Sequence, residues 1–176
     1  MKKAKKVSRD EHFMCIALEE AKKSLERGKL PVGAVIVSGD GKIIASGGKM
    51  DVTHSHTDHA EKNIIEELLE SKQHTLKNLR GMTVYTTLEP CMMCFGLMLN
   101  VRVTRVVYAL EDAYGGALFS FRPDDFPPRH KRDFPSITSG VLREETRALF
   151  KEYFEQQPSD FWKDSENPLV ALCCKE

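Results

Sequence analysis

Apolar positions change their period along the chain, and each change marks a predicted element. In "DEHFMCIALEEAKKSLERG", Phe13, Ile16, Ala17, Leu18, Ala21 and Leu25 fall mostly on one side of a 3.6-residue period, and Gly28 stops it, which predicts an amphipathic helix. "GAVIVSGDGKIIASG" reads as two strands around a Gly-Asp-Gly turn, hence a hairpin. The helical period returns in "AEKNIIEELLESK", where Ala60, Ile64, Ile65, Leu68 and Leu69 make an inward stripe. "MTVYTTL" is β-rich, "CMMCFGLMLN" suits a short helix buried on nearly all sides, and "RVVYAL" is the next strand. "PSITSG" is a weaker strand and "VLREETRALFKEYFEQQ" a final long helix. The order α-β-β-α-β-α-β-(β)-α alternates after the hairpin, which favours a three-layer α/β sandwich.

Two segments resist this reading. "FRPDDFPPRHKRDFP" holds four of the eight prolines and is expected to be a long irregular loop of the kind that serves as a lid or partner contact. The tail after Gln157 has no clear period, and its Phe161 and Trp162 are candidates for docking on the body. A chain of 176 residues suits one domain with a sizeable core. Lys+Arg and Asp+Glu both number 26, so no general field draws the chain to nucleic acid or membrane. The basic start "MKKAKK" is followed by no apolar core of a signal sequence, and no apolar run reaches a membrane span, so a cytoplasmic location without membrane association is expected.

Five cysteines, an odd number, argue against a disulfide framework and turn attention to metal binding or catalysis. In "TTLEPCMMC", Pro90 suits the first position of a helix, which puts Cys91 and Cys94 on one face of its first turn. Free N–H groups there stabilise thiolates. Alone, such a pair serves redox chemistry, structural zinc or simple burial equally well. "TDHAE", 32 residues earlier, adds His59 and Glu61 at another helix start. One imidazole and two thiolates are three zinc ligands, which leave a fourth position for water and make Glu61 a candidate proton shuttle. The bland reading is an Asp58 capping box closed by Glu61, with His59 an ordinary histidine.

The H-x-E … P-C-x-x-C arrangement is the known zinc-deaminase signature. With "PVGAVIV", "TVYTTLEPCMMCFGLML", "VTRVVYALEDAYGGA" and "ITSGVLREE", the chain resembles the cytidine/deoxycytidylate deaminase superfamily, in its bacterial tRNA-adenosine deaminase and guanine deaminase branch. The resemblance runs from about Asp10 to Phe154. It implies a three-layer α/β/α cytidine-deaminase-like sandwich with a five-stranded mixed sheet. It also implies one Zn2+ held by His59, Cys91 and Cys94, and hydrolytic deamination with Glu61 moving the proton. Ala60 and Cys91 would contribute backbone N–H donors, and Leu88, Glu89 and Pro90 a pocket wall. Asp112 matches an acidic position near the pocket.

The match breaks at Gly48, where relatives carry an asparagine eleven residues before the ligand histidine. Lys49, Asp51, His54 or His56 could replace it in substrate binding. The expected substrate is adenosine in tRNA, deaminated to inosine. The alternatives are a free nucleobase or nucleoside, and a zinc-stabilised scaffold without catalysis. The implied organisation is a flexible basic terminus at 1–9, a deaminase domain at 10–157, a tail at 158–176 packed on it, and a homodimer.

Overall fold

The computed structural model describes residues 7–50, 56–71, 79–120, 122–156 and 167–174. Five strands form one mixed sheet: β1 (Gly33–Val37), β2 (Ile43–Gly48), β3 (Thr83–Leu88), β4 (Arg105–Leu110) and β5 (Ser136–Thr138), in the order β2-β1-β3-β4-β5. β1 runs antiparallel to β2 and β3, whereas β3, β4 and β5 are parallel. The hairpin needs only its short turn, while each parallel step needs a crossover. The first crossover is α3 (Met92–Asn100). The second is the Pro-rich segment, with α4 (Ala117–Ser120), a 3-10 turn at Pro123–Asp125 and α5 (Pro128–Arg132).

Side-chain alternation on the strands divides the core into two layers. Val35, Val37, Tyr85, Val107 and Ala109 face α1 (Arg9–Glu26), meeting Phe13, Met14 and Ala17. Ala34, Ile36, Val84, Val106 and Leu110 face the opposite way, toward α2 (Ala60–Glu70) and α3, meeting Ile64, Ile65, Phe95 and Met98. The result is the three-layer α/β sandwich with a five-stranded mixed sheet. α6 (Arg143–Gln156) packs against β4 and α1, and α7 (Pro168–Cys174) packs on α6.

α1 starts where its sequence dictates. Ser8 Oγ accepts the Glu11 N–H at 3.1 Å and Glu11 Oε2 accepts the Ser8 N–H at 2.7 Å, a reciprocal cap. Its first turn is pinned to the sheet by Asp10, which accepts both Arg105 Nη1 and Nη2 at 2.7 Å and Tyr85 Oη at 2.9 Å. Its last turns press on two glycines paired across the hairpin, Gly33 and Gly48. A β-carbon on Gly33 would stand 2.1 Å from the Ala17 carbonyl oxygen, so only glycine permits this approach.

Three expectations change. The Pro-rich segment is not wholly irregular: prolines begin its 3-10 turn and α5, where their missing N–H costs nothing. Phe126 and Phe134 anchor it on Phe95 of α3, with ring centroids 5.9 and 5.4 Å away. The tail forms α7, whose Leu169 and Cys173 are buried, although seven residues are too few to show a period. Pro90 precedes α3 rather than starting it, since Cys91 is the N-cap. Phe161 and Trp162 lie outside the described residues.

Candidate active site

Two helix starts meet at the carboxyl end of β3. His59 is the N-cap of α2 and Cys91 the N-cap of α3, both with extended backbone (φ −119°, ψ 139° and φ −70°, ψ 169°). Neither side chain makes a capping bond, so both are turned to other work. His59 Nδ1 lies 3.5 Å from Cys91 Sγ and 3.5 Å from Cys94 Sγ. All three ligand atoms fall within 4.8 Å of one another. Zinc bonds of about 2.0–2.1 Å to nitrogen and about 2.3 Å to sulfur, at tetrahedral angles, place such a nitrogen–sulfur pair about 3.6 Å apart. The donor set and its spacing therefore fit one zinc ion. Three protein ligands is the number found in catalytic rather than structural zinc sites.

Proton affinities in the cluster agree with that use. A hydrogen bond from Cys94 leads the effects that pull the Cys91 thiol down to about 4. Donating to Cys91, together with burial, pushes the Cys94 thiol up, and His59 is raised chiefly by its bond to Cys91. With the Cys91 thiolate already favoured, a divalent cation would displace the protons that Cys94 and His59 hold around it.

Glu61 stands beside the ligands without joining them. It is the second residue of α2 and is 3% exposed. Its Oε1 accepts Thr86 Oγ1 at 3.2 Å, and its Oε2 lies 3.6 Å from Cys94 Sγ. Desolvation raises its pKa, which prepares a carboxylate to hold a proton. The capping-box reading of Asp58 and Glu61 does not hold. Asp58 Oδ1 instead accepts Asn63 Nδ2 at 2.7 Å and the Met50 N–H at 3.3 Å, tying the segment before α2 to the end of the hairpin.

A cavity of about 720 Å³ opens over the cluster. His59, Ala60, Glu61 and Cys91 are among its lining residues. Leu88, Glu89, Asp112 and Tyr114, at or just past the ends of β3 and β4, join them. Lys29, Leu30, Lys49, Met50 and His56 also line it, and Leu169 of α7 contributes from the tail. Asp112 both lines the cavity and caps its own turn, accepting the N–H groups of Tyr114 at 2.9 Å and Gly115 at 3.1 Å. Its N–H donates to Glu89 Oε2 at 3.0 Å, so the two acidic residues are held as a unit.

Ala60, Leu88, Glu89, Asp112 and His56 thus line the cavity. Pro90 does not: it is buried outside the lining, and its carbonyl accepts the Ala117 N–H at 2.9 Å. His54 lies outside the described residues. Gly48 does not line the cavity, and a β-carbon there would point at Ser24 Oγ, 2.3 Å away. Its neighbour Lys49 is the cavity residue. Thr86, which holds Glu61, had no motif to announce it, although strand alternation in "TVYTTL" puts it on the same face as Val84 and Leu88.

Residues 7–110 match the family model described as the cytidine and deoxycytidylate deaminase zinc-binding region. The chain is 35% identical over 151 residues to a tRNA-specific adenosine deaminase of Agrobacterium fabrum, covering 85% of this chain and 96% of that protein. Among solved structures, it is similar to a tRNA:A34 deaminase at 36% identity and a TM-score of 0.69, covering 78% of this chain and 98% of the other. It is also similar to a guanine deaminase from Nitrosomonas europaea at 26% identity and a TM-score of 0.64, covering 81% and 83%. With the ligand triad, the adjoining carboxylate and the fold in agreement, the chain belongs to the zinc-binding cytidine and deoxycytidylate deaminase family.

Proposed function

We propose that the protein hydrolytically deaminates adenosine to inosine in tRNA, with His59, Cys91 and Cys94 holding one zinc ion and Glu61 as the catalytic acid–base. The observation that carries the reading is the placement of the buried Glu61 carboxylate against a three-ligand cluster, 3.6 Å from Cys94 Sγ. When bound there, zinc supplies Lewis-acid activation of a water molecule. Glu61 takes the proton that water loses as its oxygen attacks the ring carbon bearing the amine. It passes that proton to the adjacent ring nitrogen and then assists transfer to the departing ammonia, ending as the carboxylate that began. Atoms balance: one water enters, one ammonia leaves, and the ring gains a carbonyl oxygen.

Thr86 orients the carboxylate through Oε1 and leaves Oε2 beside the ligands. The starts of α2 and α3 direct their positive dipole ends and first N–H groups, at Ala60 and Cys91, toward the charge that develops on the attacked ring. Leu88 and Ala60 give the base an apolar surface, while Glu89, Asp112 and His56 give its edge polar partners.

The relatives at 35% identity and above support tRNA as substrate. A second reading, deamination of a free base, is favoured by the likeness to the guanine deaminase and by a glycine where relatives carry the asparagine. Ammonia release from an anticodon stem-loop with adenosine at the wobble position, run beside free adenine, guanine and cytosine, tests both. Release from the RNA alone supports the first reading, and release from a free base alone replaces it with the second. We further place the enzyme in the cytoplasm as a homodimer. No described helix is long and apolar enough to cross a membrane. For the dimer, Met92 and Met93 of α3 are 51% and 37% exposed beside the site. Sedimentation at micromolar concentration checks the dimer. The deaminase domain is taken as 10–157, with the 158–176 tail closing on it through α7.

A further inference from the structure

Glu89 follows β3 directly, stands between that strand and the ligand Cys91, and is 2% exposed although it lines the cavity. A carboxylate so deeply buried needs donors to offset its lost hydration. It meets the chain that leaves β4. Segment 110–117 runs back along Glu89, Pro90 and Cys91, and backbone contacts tie its two ends. The Glu89 N–H donates to the Leu110 carbonyl at 2.8 Å, the Ala117 N–H donates to the Pro90 carbonyl at 2.9 Å, and Cys91 forms an antiparallel bridge with Gly116.

Inside the segment the Glu89 side chain takes over. Its Oε2 accepts the Asp112 N–H at 3.0 Å. Its Cδ and Oε1 occupy the place beside Gly116 where a side chain would go, since a β-carbon there would stand 2.5 and 2.7 Å from them. That β-carbon would also stand 2.5 Å from the Asp112 carbonyl oxygen, so the close approach requires glycine. The turn itself is closed: Asp112 Oδ1 accepts the N–H groups of Tyr114 and Gly115, and the Asp112 carbonyl accepts the Gly116 N–H at 2.8 Å. It therefore shifts as one piece, and Asp112 and Tyr114 carry its position into the cavity lining.

We propose that Glu89 is a positioning residue for substrate binding: bonded to the Asp112 N–H and packed on Gly116, its carboxylate sets how the turn bearing Asp112 and Tyr114 stands over the cavity. This rests on the deaminase reading above. It narrows the part of Glu89 in that reading, from a partner of the base to the holder of the turn.

Ammonia release by zinc-loaded protein would be followed against the concentration of the anticodon stem-loop, or of a free base where that is what reacts. Glu89→Ala should raise KM about tenfold or more, the worth of one charge-assisted hydrogen bond, and lower kcat by a smaller factor. Gly116→Ala keeps the carboxylate but drives the turn off it, and should raise KM likewise. Combining the two should be no worse than the poorer single change, because both remove one contact. Glu89→Gln keeps an acceptor for the Asp112 N–H and should retain most of the parent's KM, which guards against an alanine variant that fails to fold. Amide hydrogen exchange should quicken over residues 111–117 in both alanine variants and stay unchanged in α1. Effects that multiply in the double variant, a fall in kcat at constant KM, or a glutamine variant as impaired as the alanine one overturns the positioning role, while ammonia release by the parent still supports the deaminase. A parent that releases no ammonia from the stem-loop or from any free base overturns both.

Discussion

A β-carbon on Gly48 would stand 2.3 Å from Ser24 Oγ and 2.8 Å from the Glu20 carbonyl oxygen, and the latter is backbone that cannot step aside. Gly48→Asn, the change suggested by counting eleven residues back from His59, should therefore lower unfolding free energy by about 1–3 kcal/mol, readable by denaturant titration of the zinc-loaded protein. Stability equal to the parent would show that α1 can move off the hairpin. Glu61→Gln tests the opposite kind of residue, one whose burial serves chemistry. It should cut ammonia release by about 10²–10⁴-fold while metal content, measured by elemental analysis, stays at one zinc per chain.

The two residues also differ in how far the sequence disclosed them. His59, Glu61, Cys91 and Cys94 announce themselves because metal chemistry restricts residue type and spacing. Gly48 reads as a missing ligand in one dimension. Only the register that pairs it with Gly33 shows that it faces a helix and hands its place in the cavity to Lys49.

α1 owes part of its position to a small number of bonds that connect it to the sheet. Asp10 joins α1 to β3 and β4 through Tyr85 and Arg105. The Arg105 guanidinium is the leading cause that holds the Asp10 carboxyl below the usual carboxylate range. A depressed carboxylate stabilises the fold fully above its unfolded pKa and ceases to do so as pH falls through its folded one. Asp10→Asn should therefore cost about 1–2 kcal/mol near neutrality, with the carboxylate's partial exposure discounted. The difference from the parent should vanish in strong acid. Chemical denaturation at both pH values checks it, and a deficit unchanged in acid would mean that the ion pair is not its source.

The long helices α1, α2 and α6 were legible from apolar spacing, and β1 from its short apolar run. The short helices of the Pro-rich crossover were not. Their order comes from Phe126 and Phe134 stacking on Phe95, a contact across some thirty to forty residues of chain that no local pattern encodes.

At the scale of the whole molecule, zinc would bridge α2 and α3, which lie on opposite sides of β3 in the chain. Chelation should lower the melting temperature, and added zinc should restore it. A ligand present at about a thousand times its dissociation constant stabilises the native state by about 4 kcal/mol. Cys91→Ser should show the lowered melting point without the recovery. A melting temperature indifferent to chelator would place the metal outside the folding equilibrium.

Leu169 completes the substrate cavity from α7, yet lies well beyond the 7–110 segment that defines the family. Leu169→Ala should raise KM by a larger factor than it lowers kcat, measured on whichever substrate releases ammonia, because it alters fit and touches no proton. Part of the surface that would choose the substrate is thus written in a stretch of the gene apart from the machinery that breaks the carbon–nitrogen bond. Divergence at the carboxyl end can retarget such an enzyme without risk to its metal centre, and an inhibitor reaching α7 could discriminate among relatives that share the same three ligands.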